Sequence, residues 1–283
     1  MNRPRPLVVI AGSSGAIGSR LANSADAFNL DVLRLPRETV DFIEFTPQLR
    51  NRKGRSRVIL VIAAGWAPPR DPNPEYLAEA NINLMASLAR FSCEAKVSAV
   101  VNLSTISVYE NLANRDEISA PITRESPYGL SKYFGEQVLN SLVDHCPIYH
   151  LRLPGVIGKD IGNSALSKIL YSLRKNQDIT LHSRSSLYNS VISVDEIGRF
   201  VNKCAQSDID ESYRGLPLNF AASAPLKFED FISLLLKRTG SMSKINWIGD
   251  KPQSSIPINR LRSATQFSSM SVTWHAERAC DFY

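Results

Sequence analysis

Tyr128 and Lys132 stand four residues apart in Ser126-Pro127-Tyr128-Gly129-Leu130-Ser131-Lys132, the spacing that puts two side chains on one face of a helix. A phenol with an ordinary pKa of about 10 is a weak base at neutral pH, but an ammonium beside it stabilises the phenolate and brings the value toward the working range. Such a pair can exchange a proton with a substrate hydroxyl or carbonyl. Alone, the same spacing is a common decoration of a helix. A third polar group comes from Ser104-Thr105-Ile106-Ser107-Val108-Tyr109, where the apolar run Val97–Leu103 ends in hydroxyls. In an open parallel sheet the carboxyl ends of the strands carry the ligand, so hydroxyls at this strand end face the binding crevice.

A second constellation is Gly12-Ser13-Ser14-Gly15-Ala16-Ile17-Gly18, directly after the apolar run Leu7–Ala11 and directly before a helix-like segment. Glycine suits a tight turn where backbone approaches a diphosphate, and the free N–H groups of the following helix face the anion. The spacing is GxxGxxG rather than GxGxxG, and its place after the first strand of an alternating chain is what gives it weight. The expected cofactor is therefore a nicotinamide dinucleotide, NAD or NADP, exchanging a hydride while Tyr128 moves the proton. An NAD-specific site ends its second strand in a carboxylate. Here that strand reads Asp31-Val32-Leu33-Arg34-Leu35-Pro36-Arg37, with Pro36 at the expected place. Arg34 or Arg37 can pair with a 2′-phosphate instead, which tilts the cofactor toward NADP; two solvent-facing arginines are the plainer alternative.

These groups need elements to hold them. Apolar β-branched runs recur at Leu7–Ala11, Asp31–Leu35, Val58–Ala64, Val97–Leu103 and Tyr149–Leu153, with helical patterns at Ala16–Ala27, Pro74–Cys93 and Pro127–Val143 between most of them. Strands that are apolar all round need crossover helices on both faces, so the alternation predicts an α/β fold with a doubly wound parallel sheet. Between Val40 and Arg57 there is room only for a short strand, Val40–Phe45, and one helical turn. Beyond Pro154 the pattern loosens into helices at Ala165–Lys175, Asp195–Cys204 and Lys227–Thr239, with extended stretches at Leu187–Val194 and Leu218–Ala221.

With 283 residues, 43% of them hydrophobic, the chain is long enough to bury a substantial core. Its net charge of +6 is spread along the sequence, and the densest basic stretch, Arg50 to Arg57, reads as a solvated connection rather than a nucleic-acid surface. The four cysteines form no CxxC pair and keep no regular spacing with the four histidines, so neither a disulfide framework nor a zinc site is indicated. The run Leu7–Ala11 has the length of a buried strand rather than of a signal-peptide core, and no stretch approaches the roughly 18 apolar residues of a membrane span. A cytoplasmic enzyme without metal, membrane or nucleic-acid partner is the expectation.

Taken in order, several short segments resemble the extended short-chain dehydrogenase/reductases, in particular the NAD-dependent epimerase/dehydratase family acting on nucleotide sugars. They are the glycine turn at 12–18, Val61-Ile62-Ala63-Ala64-Gly65, Asn81 within Glu79–Asn83, Leu103-Ser104-Thr105, the Tyr128/Lys132 pair, Leu151–Gly158 with Pro154, and Val191–Asp195. The resemblance implies a Rossmann-type dinucleotide domain over 1–154, with a strand and helix returning at about 187–221. A smaller C-terminal substrate-binding lobe would comprise 155–186 and 222–283. It implies Thr105 polarising the reacting sugar oxygen, Tyr128 as acid/base and Lys132 on the nicotinamide ribose. Ala63, Ala64, Gly65, Asn81, Leu103 and Ser104 would line the cofactor channel, and Pro154, Val156 and Ile157 would hold the nicotinamide side. On the substrate side it points to Asn163 and Arg184, with Tyr188, Asn189, Arg260 and Arg262 as further contacts. The helices at 74–93 and 127–143 correspond to those that pair in family homodimers.

Departures from the family pattern narrow the chemistry. Family dehydratases place Asp-Glu after the threonine, whereas Ile106 and Ser107 stand here, which disfavours 4,6-dehydration for want of an acid and a base. The shortened second crossover resembles compact members that reduce 4-keto sugars. An epimerase or a 4-keto-sugar reductase is the leading expectation. The competing class is a redox sensor or scaffold that keeps the dinucleotide fold without chemistry, whose signature would be loss of Tyr128 or Lys132.

Overall fold

The structure is a computed structural model that describes residues 5–35, 42–50, 57–66, 73–110, 122–142, 144–159, 161, 164–207, 214–249 and 254–283. It divides into two compact units, one holding the described residues of 1–110, 121–152 and 197–218, the other those of 153–196 and 219–283. Residues 187–196, expected with the dinucleotide domain, thus fall in the second unit. The division falls within the helix that begins at Val194, between Glu196 and Ile197.

In the first unit, β1 (Leu7–Ala11), α1 (Ala16–Ser24) and β2 (Asp31–Leu35) are followed by a single helical turn α2 (Thr46–Arg50) and β3 (Val58–Ile62). Then come α3 (Pro74–Ala78), a π-helical turn over Glu79–Asn83, α4 (Leu84–Ala95), β4 (Ala99–Thr105), α5 (Pro127–Asn140) and β5 (Ile148–Leu153). The second unit contains β6 (Gly155–Ile157), α6 (Ala165–Arg174), β7 (Ile179–His182), β8 (Leu187–Tyr188) and β9 (Val191–Ser193). Next are α7 (Val194–Gln206) and β10 (Pro217–Asn219), both shared between the units, and then β11 (Leu226–Lys227), α8 (Phe228–Thr239), β12 (Ile245–Ile248), α9 (Asn259–Thr265) and α10 (Val272–Phe282).

The central sheet is parallel and six-stranded, in the order β10-β5-β4-β3-β1-β2. Its middle strands are buried on both faces: Ile59, Leu60, Val61 and Ile62 show no exposure, nor do Val100 and Val101. At ~1.5–3 kcal/mol for each large apolar side chain removed from water, these strands are the main reason the sheet forms where it does. Ala11 at the end of β1 lies opposite both Leu35 and Ile62, so the carboxyl ends of β1, β2 and β3 are level. The chain leaves β1 for β2 on one side and returns to β3 on the other, which makes the β1/β3 boundary the topological switch point where such sheets bind ligands. The strand expected at Val40–Phe45 is not formed over its described part, since Phe42–Phe45 is a 3₁₀ turn. With Phe42 and Leu49 buried in the core against α4, these residues cap the sheet side instead of extending it.

The second unit is held by α6, α8 and α10 around Leu166, Leu170, Leu173, Phe231, Ile232, Leu235, Val272 and Ala276. Three two-stranded pairings, β6 with β9, β7 with β12 and β8 with β11, edge this core. Among the described residues no helix is long and apolar enough to cross a membrane.

Candidate active site

The glycine turn closes the switch point. Gly12 has φ +84°, and a Cβ there would lie 2.5 Å from the Ala64 nitrogen, so only glycine lets this turn pass the end of β3. At Gly18 a Cβ would meet the Gly12 carbonyl oxygen at 2.3 Å, fixing how closely α1 follows the turn. Gly15 differs: its backbone is ordinary extended (φ −77°, ψ 164°), it caps α1 without any side-chain hydrogen bond, and together with Ser14 and Ala16 it is exposed. The first N–H groups of α1 are thus left for an anion, the arrangement a diphosphate requires.

From this turn the structure leads to the expected proton-transfer pair. Ala63 and Ala64 touch Gly12, and the next residue, Gly65, has its Cβ position 2.8 Å from Asn81 Oδ1 and 3.5 Å from Lys132 Nζ. Asn81 sits on the π-helical turn, a distortion common at functional sites. Its buried amide is fully used: Oδ1 accepts the Trp66 N–H at 2.9 Å, while Nδ2 donates to the Trp66 carbonyl at 3.2 Å and to Ser131 Oγ at 3.0 Å. Asn81 therefore ties the segment after β3 to α5 and has no amide proton left for a ligand.

Helix α5 begins where the chemistry needs it. Ser126 caps it by accepting the Gly129 N–H at 3.0 Å, with Pro127 in the first turn. The Thr123 N–H donates to the Val108 carbonyl at 2.7 Å, which fastens the approach to α5 onto the end of β4. Tyr128, half-buried, has the Thr105 side chain beside it, and Thr105 Oγ1 donates to Ser107 Oγ at 3.2 Å and accepts the Ser107 N–H at 3.1 Å. Burial pushes the phenol pKa up, and the neighbouring Thr105 hydroxyl only partly opposes it. The expected depression of the phenol by Lys132 is therefore not what this structure shows; Tyr128 stands protonated at neutral pH because loss of water outweighs nearby stabilisation of the phenolate. Lys132 is buried and gives one proton to the Leu103 carbonyl at 2.9 Å. Burial lowers its pKa to about 8 although Glu136 acts to raise it, so at pH 7 it remains an ammonium. Its other two protons have no acceptor among the described residues.

Ser104, expected in the cofactor channel, points elsewhere. Its hydroxyl donates to Glu136 Oε1 inside the protein, so it can offer a ligand backbone only. Glu136 also accepts from Arg152, Nη2 to Oε2 at 2.6 Å and Nε to Oε1 at 3.1 Å. Arg152 in turn stacks over the Tyr109 ring at 4.8 Å. Sequence reasoning missed both charged residues. The available signals were Glu136 four residues beyond Lys132 and an arginine inside an otherwise apolar strand.

The remaining expected residues are not gathered in the first unit. Arg34 is exposed and donates to Asn23 Oδ1 at 2.8 Å; Arg37 and Asn163 lie outside the described residues. Pro154, Val156 and Ile157 belong to the second unit, and the Ile157 side chain is fully buried in its apolar core. There Arg184 pairs with Glu229 at 2.5 Å, and Tyr188 packs on Phe228 and Phe231. Asn189 is buried with its amide spent on Ala222 and Ile256 backbone, which makes it a structural residue rather than a substrate contact. Arg260 and Arg262 lie on α9, Arg262 exposed.

Similarity to known proteins agrees with this geometry. The sequence pattern of the NAD dependent epimerase/dehydratase family matches residues 8–187, more than half of the chain. The chain belongs to this family. Its fold is shared with UDP-glucuronic acid 4-epimerase from Bacillus cereus in complex with NAD, at 18% identity and a TM-score of 0.76, with 98% of each chain covered. The same enzyme with UDP-glucuronic acid and NAD bound gives 0.72 at 18% identity and the same coverage. The dTDP-4-dehydrorhamnose reductase from Bacillus anthracis in complex with NADP gives 0.76 at 18% identity over 99% of each chain. No curated protein matches the sequence. At these identities the solved structures establish the fold, and the family match establishes the membership.

Proposed function

We propose that the protein is an NAD(P)-dependent enzyme acting on a nucleotide-activated sugar, as an epimerase or a 4-keto-sugar reductase, with Tyr128 as its acid/base. The observation that carries this reading is the Tyr128 side chain beside Thr105 at the end of β4, with the Lys132 ammonium, one helical turn along α5, tied to that same strand end through the Leu103 carbonyl. Family membership supports it, as do neighbours in complex with UDP-glucuronic acid and NAD or with NADP.

The residues present fit a dinucleotide. The uncapped start of α1 and the exposed Gly15 would take the diphosphate, and the two unused protons of Lys132 suit ribose hydroxyls. When bound, the nicotinamide would exchange a hydride with the sugar carbon. Thr105 and Tyr128 then face the reacting oxygen as a pair of hydroxyls. Tyr128, held protonated, gives its proton to a carbonyl oxygen in the reductive direction and regains one from a hydroxyl in the oxidative direction. Lys132 stabilises the phenolate that the reductive transfer leaves and the oxidative transfer consumes. NADP is the preferred form in this reading, since β2 ends in Arg34-Leu35 with no carboxylate for the ribose. A homodimer is part of the same reading, with Tyr76 on α3 and Phe134 on α5 both exposed.

Titration with NADPH and NADH, followed by nicotinamide fluorescence, tests the proposal. Tight binding with NADPH preferred is expected, and subsequent mixing with UDP- and dTDP-linked 4-keto and 4-hydroxy sugars separates the two reactions. Net loss of reduced cofactor marks a reductase, and sugar isomerisation without net loss marks an epimerase. Failure to bind either dinucleotide overturns the reading.

A further inference from the structure

Behind the Tyr128–Lys132 pair lies a group of buried polar residues that the proposed chemistry does not touch. Glu136 is 1% exposed and one helical turn beyond Lys132 on α5, so both side chains leave the same helix face. Its carboxylate is gripped from two neighbouring strands: Ser104 of β4 donates to Oε1, and Arg152 of β5 donates to both oxygens at 3.1 and 2.6 Å. Both partners of the ion pair have almost no exposed side-chain surface. A buried pair of this kind contributes little net stability compared with apolar residues of the same volume, so stability alone does not account for it. Ser104 directly precedes Thr105, which lies beside Tyr128, and Leu103 before it supplies the carbonyl that receives the Lys132 proton. One carboxylate thus fixes the strand end that contacts both members of the pair.

We propose that Glu136 is a positioning residue, its buried carboxylate holding Lys132 as an ammonium against the end of β4 and so setting the pH range over which Tyr128 can transfer a proton. This rests on the Tyr128–Lys132 reading above. In a medium where water screens little, a carboxylate one turn away favours the charged amine substantially. The charged and titratable groups around Lys132 are Tyr128 and Glu136 on α5, and His150 and Arg152 on β5, with Tyr109 after β4 touching Arg152. His150 is buried between Asn102 and Asn140, with its pKa lowered to about 4 by burial first, and stays neutral in the working range. Tyr128, its pKa raised by burial, is neutral there too. Arg152 is cationic and disfavours a second positive charge, which leaves Glu136 as the group that offsets it.

The test titrates Lys132 directly and needs no substrate. Protein labelled with 13C-lysine is followed by NMR from pH 6 to 11, the Lys132 side-chain signal being identified by its absence in Lys132→Arg. In Glu136→Gln the Lys132 midpoint should fall by about one pH unit or more, and the alkaline limb of any turnover profile should move down with it. Should Glu136→Gln fail to fold with Arg152 unpaired, the double variant Glu136→Gln/Arg152→Met is compared with Arg152→Met, and the Lys132 midpoint should be lower in the double variant, which has lost the carboxylate, than in Arg152→Met, which keeps it. A lowered melting temperature with an unchanged Lys132 midpoint would make Glu136 purely structural and overturn the proposal. The Tyr128 reading fails by a different result, full turnover in Tyr128→Phe, so the two failures are separable.

Discussion

Substituting Gly15 by alanine separates folding from binding in a way the other loop glycines do not allow. Gly15 has φ −77° and ψ 164°, a conformation open to any L-residue, and an added Cβ would meet only the Gly12 carbonyl oxygen, at 3.3 Å. That contact is tight enough to ask for a shift of a few tenths of an ångström and no more. Alanine is also a poorer helix N-cap, so Gly15→Ala should cost stability on the order of 0.5–1 kcal/mol. The methyl group would, however, stand on the exposed face that the diphosphate must approach. Overpacking a close contact by one methyl costs roughly 1–3 kcal/mol, which corresponds to about tenfold to hundredfold weaker binding. Parallel thermal melting and NADPH fluorescence titration of wild type and variant measure both quantities. Gly18→Ala is the contrast, because its Cβ would lie 2.3 Å from backbone oxygen, and it should lose stability and binding together. If Gly15→Ala binds NADPH as tightly as the parent, the diphosphate does not lie against this turn.

Other consequences follow from the buried polar groups. Arg152→Met strands the Glu136 carboxylate in the interior and should destabilise by ~3–5 kcal/mol, read as a lower urea midpoint, whereas Glu136→Gln/Arg152→Met should recover much of the loss. His275 is fully buried with both ring nitrogens unpartnered, and burial lowers its pKa to about 4. Because the unfolded imidazole titrates at about 6.5, the His275 contribution is intact above that pH and is lost as pH falls from about 6.5 toward 4. The melting temperature should drop across this interval, with His150 adding to the fall, and His275→Leu should raise stability and flatten the drop. An unchanged slope in His275→Leu would show that its protonation is not linked to unfolding.

How much of this was legible beforehand depended on whether the signal was local. Leu7–Ala11 and the start of α5 announce themselves through an unbroken apolar run and through Ser126-Pro127, and they fold as read, while the run read as Val58–Ala64 forms a strand over Val58–Ile62. The glycine turn was legible for the same reason, since backbone crowding at Gly12 acts on residue type directly. Val40–Phe45 was misread because tertiary burial of Phe42 against α4, not strand propensity, decides its shape. Strands β7 and β12 escaped notice as four-residue segments with alternate side chains exposed, and α9 and α10 lack a strong apolar stripe. The site followed the same rule. Tyr128 and Lys132 stand out by spacing and Thr105 through the family resemblance, whereas the direction of Ser104 depends on Glu136 and Arg152, two partners 32 and 48 residues further along the chain. The phenol pKa was also beyond local reading, since it is set by burial rather than by the neighbouring lysine.

Whether the Tyr128 hydroxyl moves the proton is decided by Tyr128→Phe assayed for turnover alongside NADPH binding. Removing one oxygen from a half-buried ring should leave dinucleotide affinity within a few-fold and lower turnover by roughly a hundredfold or more. Turnover equal to the parent's, with binding intact, would show that the hydroxyl does not.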